Sequence, residues 1–226
     1  MATTFPVSLA GFADLLDIVE GDFKLNDNRR FSYTARGEVI DMAGGSRRWE
    51  GFFTLAPAKN NGTSPQIDAM LALLTSPGAT FLMGDPRRKY PVYDPTGSIM
   101  GAAAPKFNSY DANRRDVTFK ALPANYVLTR GDHLSFSYVD AAGKTQYSLH
   151  QIITQSRTAN ASGVTTSVEI VPPLPRGIDP VTLNVTVNFI KPCCKVTLLP
   201  GKTQYSLGRP GVVSNGQTFE FVQTRV

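Results

Sequence analysis

Apolar residues recur at every second position through most of this chain. In the longest run Val181, Leu183, Val185, Val187 and Phe189 alternate with Thr182, Asn184, Thr186 and Asn188, the period-2 pattern of an antiparallel strand with one face on a core and one in water. Trp49, Gly51, Phe53 and Leu55 repeat the pattern, as do Phe31, Tyr33 and Ala35, and Ala43-Gly44-Gly45-Ser46 between them suits a hairpin turn. Leu134, Phe136 and Tyr138 predict another strand, turned back at Asp140–Gly143. Val164, Thr166, Val168 and Ile170 predict one more, and Phe219 with Phe221 a last one. A mainly β protein is expected.

Two short stretches break this rhythm. Ser64-Pro65 resembles a capped helix start with proline in the first turn, Ile67, Met70, Leu71 and Leu74 follow at helical spacing, and Pro77-Gly78 ends the run. One helix of about three turns over a sheet is predicted, its apolar stripe being core rather than a cofactor site. A shorter helical turn is expected near Leu9 to Ile18. Pro91 and Pro95, then Pro172, Pro173, Pro175 and Pro180, mark stretches that resist both ladder and helix. They bracket an insertion: residues 1–96 and 177–226 are expected to form one discontinuous domain, and 97–176 a small second barrel or sheet.

The heptapeptide Gly-Lys-Thr-Gln-Tyr-Ser-Leu occurs twice, at Gly143–Leu149 and Gly201–Leu207. A phosphate-binding loop needs a glycine five residues before its Gly-Lys pair and a helix after it. Tyr138 and Val196 stand at those positions, and an alternating segment follows. Domain duplication would extend the similarity into the flanks, which share nothing. Each copy is read as a glycine turn entering a half-buried strand, with Thr145, Tyr147 and Leu149 of the first on one face. Nothing in the sequence explains why all seven letters agree.

With 226 residues the chain is long enough for a real core without staples. It has no apolar run of bilayer length and no basic leader in Met1–Leu16, which points to a protein made and kept in a cytoplasm. Its net charge of +5 comes from scattered basic groups, Arg29-Arg30, Arg47-Arg48, Arg87-Arg88-Lys89 and Arg114-Arg115. Those suit solvated faces or ion pairs between subunits rather than a phosphate track, so no specific nucleic-acid recognition is expected. The aromatic residues sit at strand period, unlike the exposed ladder of a single-strand binder. Cys193 and Cys194 adjoin, which rules out an ordinary disulfide between them and leaves two reduced, partly buried thiols.

Candidate chemistry is sparse. His133 and His150 lie on the two arms of the second predicted hairpin, where they could meet near Asp132 and Asp140 and form a metal or acid–base site. Edge or surface histidines are the simpler reading, since no zinc-ligand, protease or hydrolase motif accompanies them. No enzymatic role, cofactor or metal is expected.

Four segments carry a family resemblance: Phe5-Pro6-Val7-Ser8-Leu9-Ala10-Gly11-Phe12-Ala13-Asp14-Leu15-Leu16, Gly84-Asp85-Pro86-Arg87-Arg88, the stretch Leu122 to Asp132, and Lys191-Pro192-Cys193-Cys194-Lys195. Together they resemble the distal tail proteins of long-tailed bacteriophages and prophages. That resemblance implies a β-sandwich with one helix, interrupted by a small inserted barrel of the oligonucleotide/oligosaccharide-binding type. It implies a homohexameric ring in the virion tail tip, contacting the tail tube protein, the baseplate hub and the tail fibres, with no membrane partner and no catalytic residues. Interface residues are not specified. A carbohydrate-binding module is the alternative, poorly supplied by the single Trp49. Another minor tail or tube adaptor protein, and a hydrolase using His133 or His150, complete the alternatives.

Overall fold

The computed structural model describes residues 3–59, 63–205, 213–214 and 216–225. It is mainly β with one α-helix. In chain order the elements are β1 (Ile18–Leu25), β2 (Arg29–Tyr33), β3 (Val39–Ala43), β4 (Trp49–Leu55), β5 (Ala58–Lys59), α1 (Ser64–Leu74), β6 (Phe81–Met83), β7 (Lys106–Tyr110), β8 (Asp116–Lys120), β9 (Val127–Thr129), β10 (His133–Val139), β11 (Thr145–Ile152), β12 (Ser156–Thr158), β13 (Val168–Val171), β14 (Cys194–Gln204), β15 (Val213–Ser214) and β16 (Thr218–Gln223). Among the described residues no helix is long and apolar enough to cross a membrane.

Two compact units divide the chain. Met1–Phe81 with Val196–Thr224 form one, and Leu82–Lys195 with Arg225 the other. The junctions fall inside β6 and β14, not at the proline clusters that suggested divisions after 96 and before 177. The reason is packing and hydrogen bonding: Val187 and Phe189 belong to one buried cluster with Phe107, Phe119 and Phe136, and the Val92 amide is held by the Asp132 carboxylate.

The first unit rests on a five-stranded sheet of order β1-β4-β16-β14-β6. Alternation places Phe23, Trp49, Phe53, Phe219 and Phe221 in its buried interior. Phe23 stacks on Trp49 at 5.3 Å and Phe53 lies 5.1 Å from Phe221. Two glycines admit these rings. A Cβ on Gly21 would lie 2.2 Å from the Phe53 ring, and one on Gly51 would lie 2.0 Å from the Asp22 carbonyl oxygen and 3.0 Å from the Phe221 ring. Helix α1 buries Ile67, Leu71 and Leu74 as its spacing predicts, with Thr63 rather than Ser64 as N-cap. Ser64 is buried instead, where its hydroxyl accepts from the Gln217 amide at 3.0 Å. The turn expected near Leu9–Ile18 is a short 3-10 helix, Ala13–Leu15.

The second unit holds a curled sheet of order β10-β11-β13-β8-β7 and the small pair β12-β9. The run Val181–Phe189, the strongest strand pattern in the sequence, is not a strand. Asp179 accepts from the amides of Val181 and Thr182 and from the Thr182 hydroxyl, and Asn184 adopts a left-handed backbone with φ 51°, so the first half folds into a capped turn. The second half keeps Val187 and Phe189 buried but meets each neighbour only once, at Lys106–Thr186 and Ser135–Asn188. Those partners lie on the two edge strands, β7 and β10, so the segment spans the gap between the edges of the curled sheet. Of Val164–Ile170, only Val168 onward is strand. Thr165 lies outside it, accepting from the Phe119 amide through its hydroxyl and donating its own amide to the Phe119 carbonyl.

The repeated heptapeptide takes two roles. Gly143 (φ 74°) ends the turn between β10 and β11, which the Asp140 carboxylate clips through the amides of Ala142 and Lys144. Gly201 (φ 72°) lies within β14, where the pairing with β16 shifts register between Leu198 and Thr203. Ser206 and Leu207 lie outside the described residues.

Gly51→Ala should lower the free energy of unfolding by roughly 2 kcal/mol, since backbone and a core ring both oppose the new methyl. Gly37→Ala, at φ 83° with open space around it, should cost about 1 kcal/mol from backbone strain alone. Urea unfolding midpoints at unchanged slope measure both.

Candidate assembly surface

β1 and β4 pair from Ile18–Leu55 to Leu25–Trp49, and the same two arms then run on as a two-stranded ribbon, β2 against β3. Asn26 and Arg48 join the segments, their backbone bond at 2.9 Å supported by the Asn26 side chain accepting from the Arg48 amide at 2.8 Å. The ribbon turns at Thr34–Glu38, where Gly37 takes φ 83° and the Thr34 hydroxyl accepts from the Glu38 amide. The hairpin turn predicted at Ala43–Ser46 is therefore displaced to the other end of β3. Gly44 and Gly45 instead let the second arm approach Asn28, where a Cβ on Gly44 would lie 2.5 Å from the Asn28 carbonyl oxygen.

Register assigns the ribbon's side chains to faces. Arg29, Phe31, Tyr33, Val39 and Asp41 share one, and Arg30, Ser32, Ile40 and Met42 the other. Phe31, Tyr33, Val39, Ile40 and Met42 are between 44% and 73% exposed. Beside them Arg29 makes a two-pronged pair with Asp27, both contacts 2.7 Å, reaches Asp41 at 3.3 Å and lies 5.3 Å over the Phe31 ring. Its hydrogen bond to Arg29 pulls the Asp27 carboxyl below its ordinary range. Large apolar side chains thus stand in water on both faces of an element with no interior, Phe31, Tyr33 and Val39 on one and Ile40 and Met42 on the other, exposure of the kind that marks an interaction surface. The outer edges of the ribbon and of β1 carry no strand partner among the described residues, leaving backbone groups to pair with another strand.

The candidate chemical residues are placed otherwise. His133 pairs with Gln151 and His150 with Leu134, so the two rings point to opposite faces and do not meet. His133 lies 3.4 Å from Arg88. Asp132 accepts from the amides of Val92 and Thr129. Asp140 is spent on its turn and on Gln146.

His150 stacks on Phe136 at 5.5 Å, within 2.6 Å of the Pro172 carbonyl through Nδ1 and 2.8 Å of the Ser148 hydroxyl through Nε2. A carbonyl only accepts, so Nδ1 carries the proton and Nε2 accepts from Ser148. This has the order of a nucleophile–base pair, with the ring wholly buried. The first heptapeptide forms the half-buried strand expected, but its buried face is the polar one: Gln146, Ser148 and His150 are buried, while on the opposite face Thr145 is exposed, Tyr147 half-buried and Leu149 buried. Cys193 and Cys194 are free and buried; burial raises Cys193 to about 11 and lifts Cys194 well above its ordinary value, so both are neutral thiols. Among the described residues no group of three His, Cys, Asp or Glu side chains is arranged to hold a metal ion.

Several of the basic residues are answered inside the chain, Arg29 by Asp27, Arg87 by Asp85 and Arg115 by Glu169. Sequence reasoning read Phe31 and Tyr33 as a half-buried strand and passed over β3. The signal was present in Val39-Ile40-Asp41-Met42, whose apolar residues occupy both phases of the alternation. Comparison with protein-family models and with curated proteins found no match.

Burial lowers both imidazoles to about 4, below the value near 6.5 of an unfolded histidine. The unfolded chain therefore binds more protons between about pH 6.5 and 4, and stability present above that window is lost as pH falls through it, by roughly 3 kcal/mol per ring. His150→Asn should remove about half of this slope in unfolding free energy against pH, the His133 share remaining. An unchanged slope would contradict the buried, neutral ring.

Proposed function

We propose that this chain is a structural protein of a long-tailed bacteriophage tail, of the distal tail type, that acts by closing into a ring of its own copies. The observation that carries the reading is the β2–β3 ribbon, whose exposed apolar side chains and open edges suit a neighbour's surface. A ring interface is heterologous, joining two different surfaces of each subunit, and an arm that reaches past its own sheet is suited to it. The resemblance of Phe5–Leu16, Gly84–Arg88, Leu122–Asp132 and Lys191–Lys195 to distal tail proteins supplies the biological setting. In that setting the first unit builds a homohexamer at the tail tip of the virion, between the tail tube protein and the baseplate hub and fibres. The inserted unit is then available for other contacts.

Light scattering on the purified full chain should give about six times the chain mass of 24.5 kDa. Phe31→Asp with Ile40→Asp should return it to the mass of one chain without lowering the thermal midpoint, because neither side chain is buried in the subunit. A single-chain mass for the unaltered protein at all concentrations would contradict the reading.

A further inference from the structure

In the second unit the turn between β7 and β8 and the segment after β13 enclose an open groove of about 440 Å³, lined by Ala112, Asn113, Arg114, Pro173, Leu174 and Arg176. That volume falls within the range of small-molecule sites. Its floor is apolar, with Leu174 buried, and its charge comes from two guanidinium groups.

Arg114 is held there by unusual means. Its backbone is left-handed, φ 59°, a conformation that costs a residue with a Cβ about 1 kcal/mol or more and persists where the surroundings impose it. The surroundings are evident: the Arg114 amide donates to the Asp111 carbonyl, and its carbonyl accepts from the Leu174 amide at 2.8 Å. The side chain is fixed as firmly, with Nη1 donating to the carbonyls of Pro175 and Ile178 and the guanidinium 5.1 Å over the Tyr110 ring. Carbonyls orient a guanidinium without neutralising it. No carboxylate pairs with Arg114 or Arg176 among the described residues. The nearby acids are engaged elsewhere, Asp111 by the amides of Arg115 and Asp116, and Asp179 by Val181 and Thr182.

We infer that this groove binds an oxyanion-bearing small molecule of monosaccharide size, its phosphate or carboxylate between Arg114 and Arg176 and its body over Pro173 and Leu174. A guanidinium fixed before the ligand arrives loses little freedom on binding and offers Nε and Nη2 to an oxyanion. The site lies within the second unit and does not depend on ring formation.

Calorimetric titration of the full chain with glucose 6-phosphate, glucuronate and glucose tests it. At least one of the charged sugars should bind about tenfold more tightly than glucose, and which one does so identifies phosphate or carboxylate as the favoured group. Arg176→Ala, at an exposed position, should weaken that binding about fivefold or more while leaving the thermal midpoint unchanged. Arg114→Lys keeps the charge but loses the fork, and should also weaken it. Should Arg114→Lys fail to fold, Arg176→Ala decides. Binding of both charged sugars no tighter than glucose, or affinity indifferent to Arg176→Ala, overturns the inference.

Discussion

A two-stranded ribbon has no interior. Each side chain on it faces water unless something outside the ribbon covers it, and the ribbon's own ladder contributes too little to hold it rigid. That constraint gives meaning to Phe31, Tyr33, Val39, Ile40 and Met42, which are exposed on both faces of β2 and β3. The same two arms are well anchored further down, where β1 and β4 join the sheet and Phe23, Trp49 and Phe53 are buried. The ribbon is thus an extension of a stable sheet, with its exposed half available to a partner.

The second unit solves the opposite problem. Its curled sheet is lined by Phe107, Phe119, Phe136 and Phe189, with Phe107 edge-on to Phe136 at 5.1 Å and Phe119 edge-on to Phe189 at 5.3 Å. Beside these rings the Ser148 hydroxyl, the His150 ring and the Pro172 carbonyl satisfy one another. Polar groups so buried are tolerated only when satisfied. Their role is to fix the packing of the unit, and it brings a pH-dependent stability with it.

Much of the fold was legible in the sequence because strand and helix periods are local. The pair β10–β11, strand β4, helix α1 and the last strand are all visible in alternation or helical spacing, whereas β1, which pairs with β4 where the segment at Phe31 was expected, was passed over. What was not legible came from longer range. Val181–Phe189 alternates correctly, yet Asp179 and Asn184 turn its first half, and only tertiary contacts reveal that the second half spans two edges. The Gly44-Gly45 pair has the composition of a turn but serves close approach to Asn28. The left-handed Arg114 and the groove around it combine residues some sixty positions apart, beyond the reach of any local pattern. Among the chemical candidates, a one-residue register difference separates His133 from His150, which no reading of spacing across an unknown turn could fix.

The central claim is that the ribbon is covered by another copy of the chain. Hydrogen–deuterium exchange of the amides in Arg29–Ala43, followed against protein concentration, tests this most directly. Burial against a neighbour predicts slow exchange in the assembled protein and fast exchange on dilution, while the β1–β4 amides stay protected throughout. Ribbon exchange that is fast and identical at every concentration would contradict it.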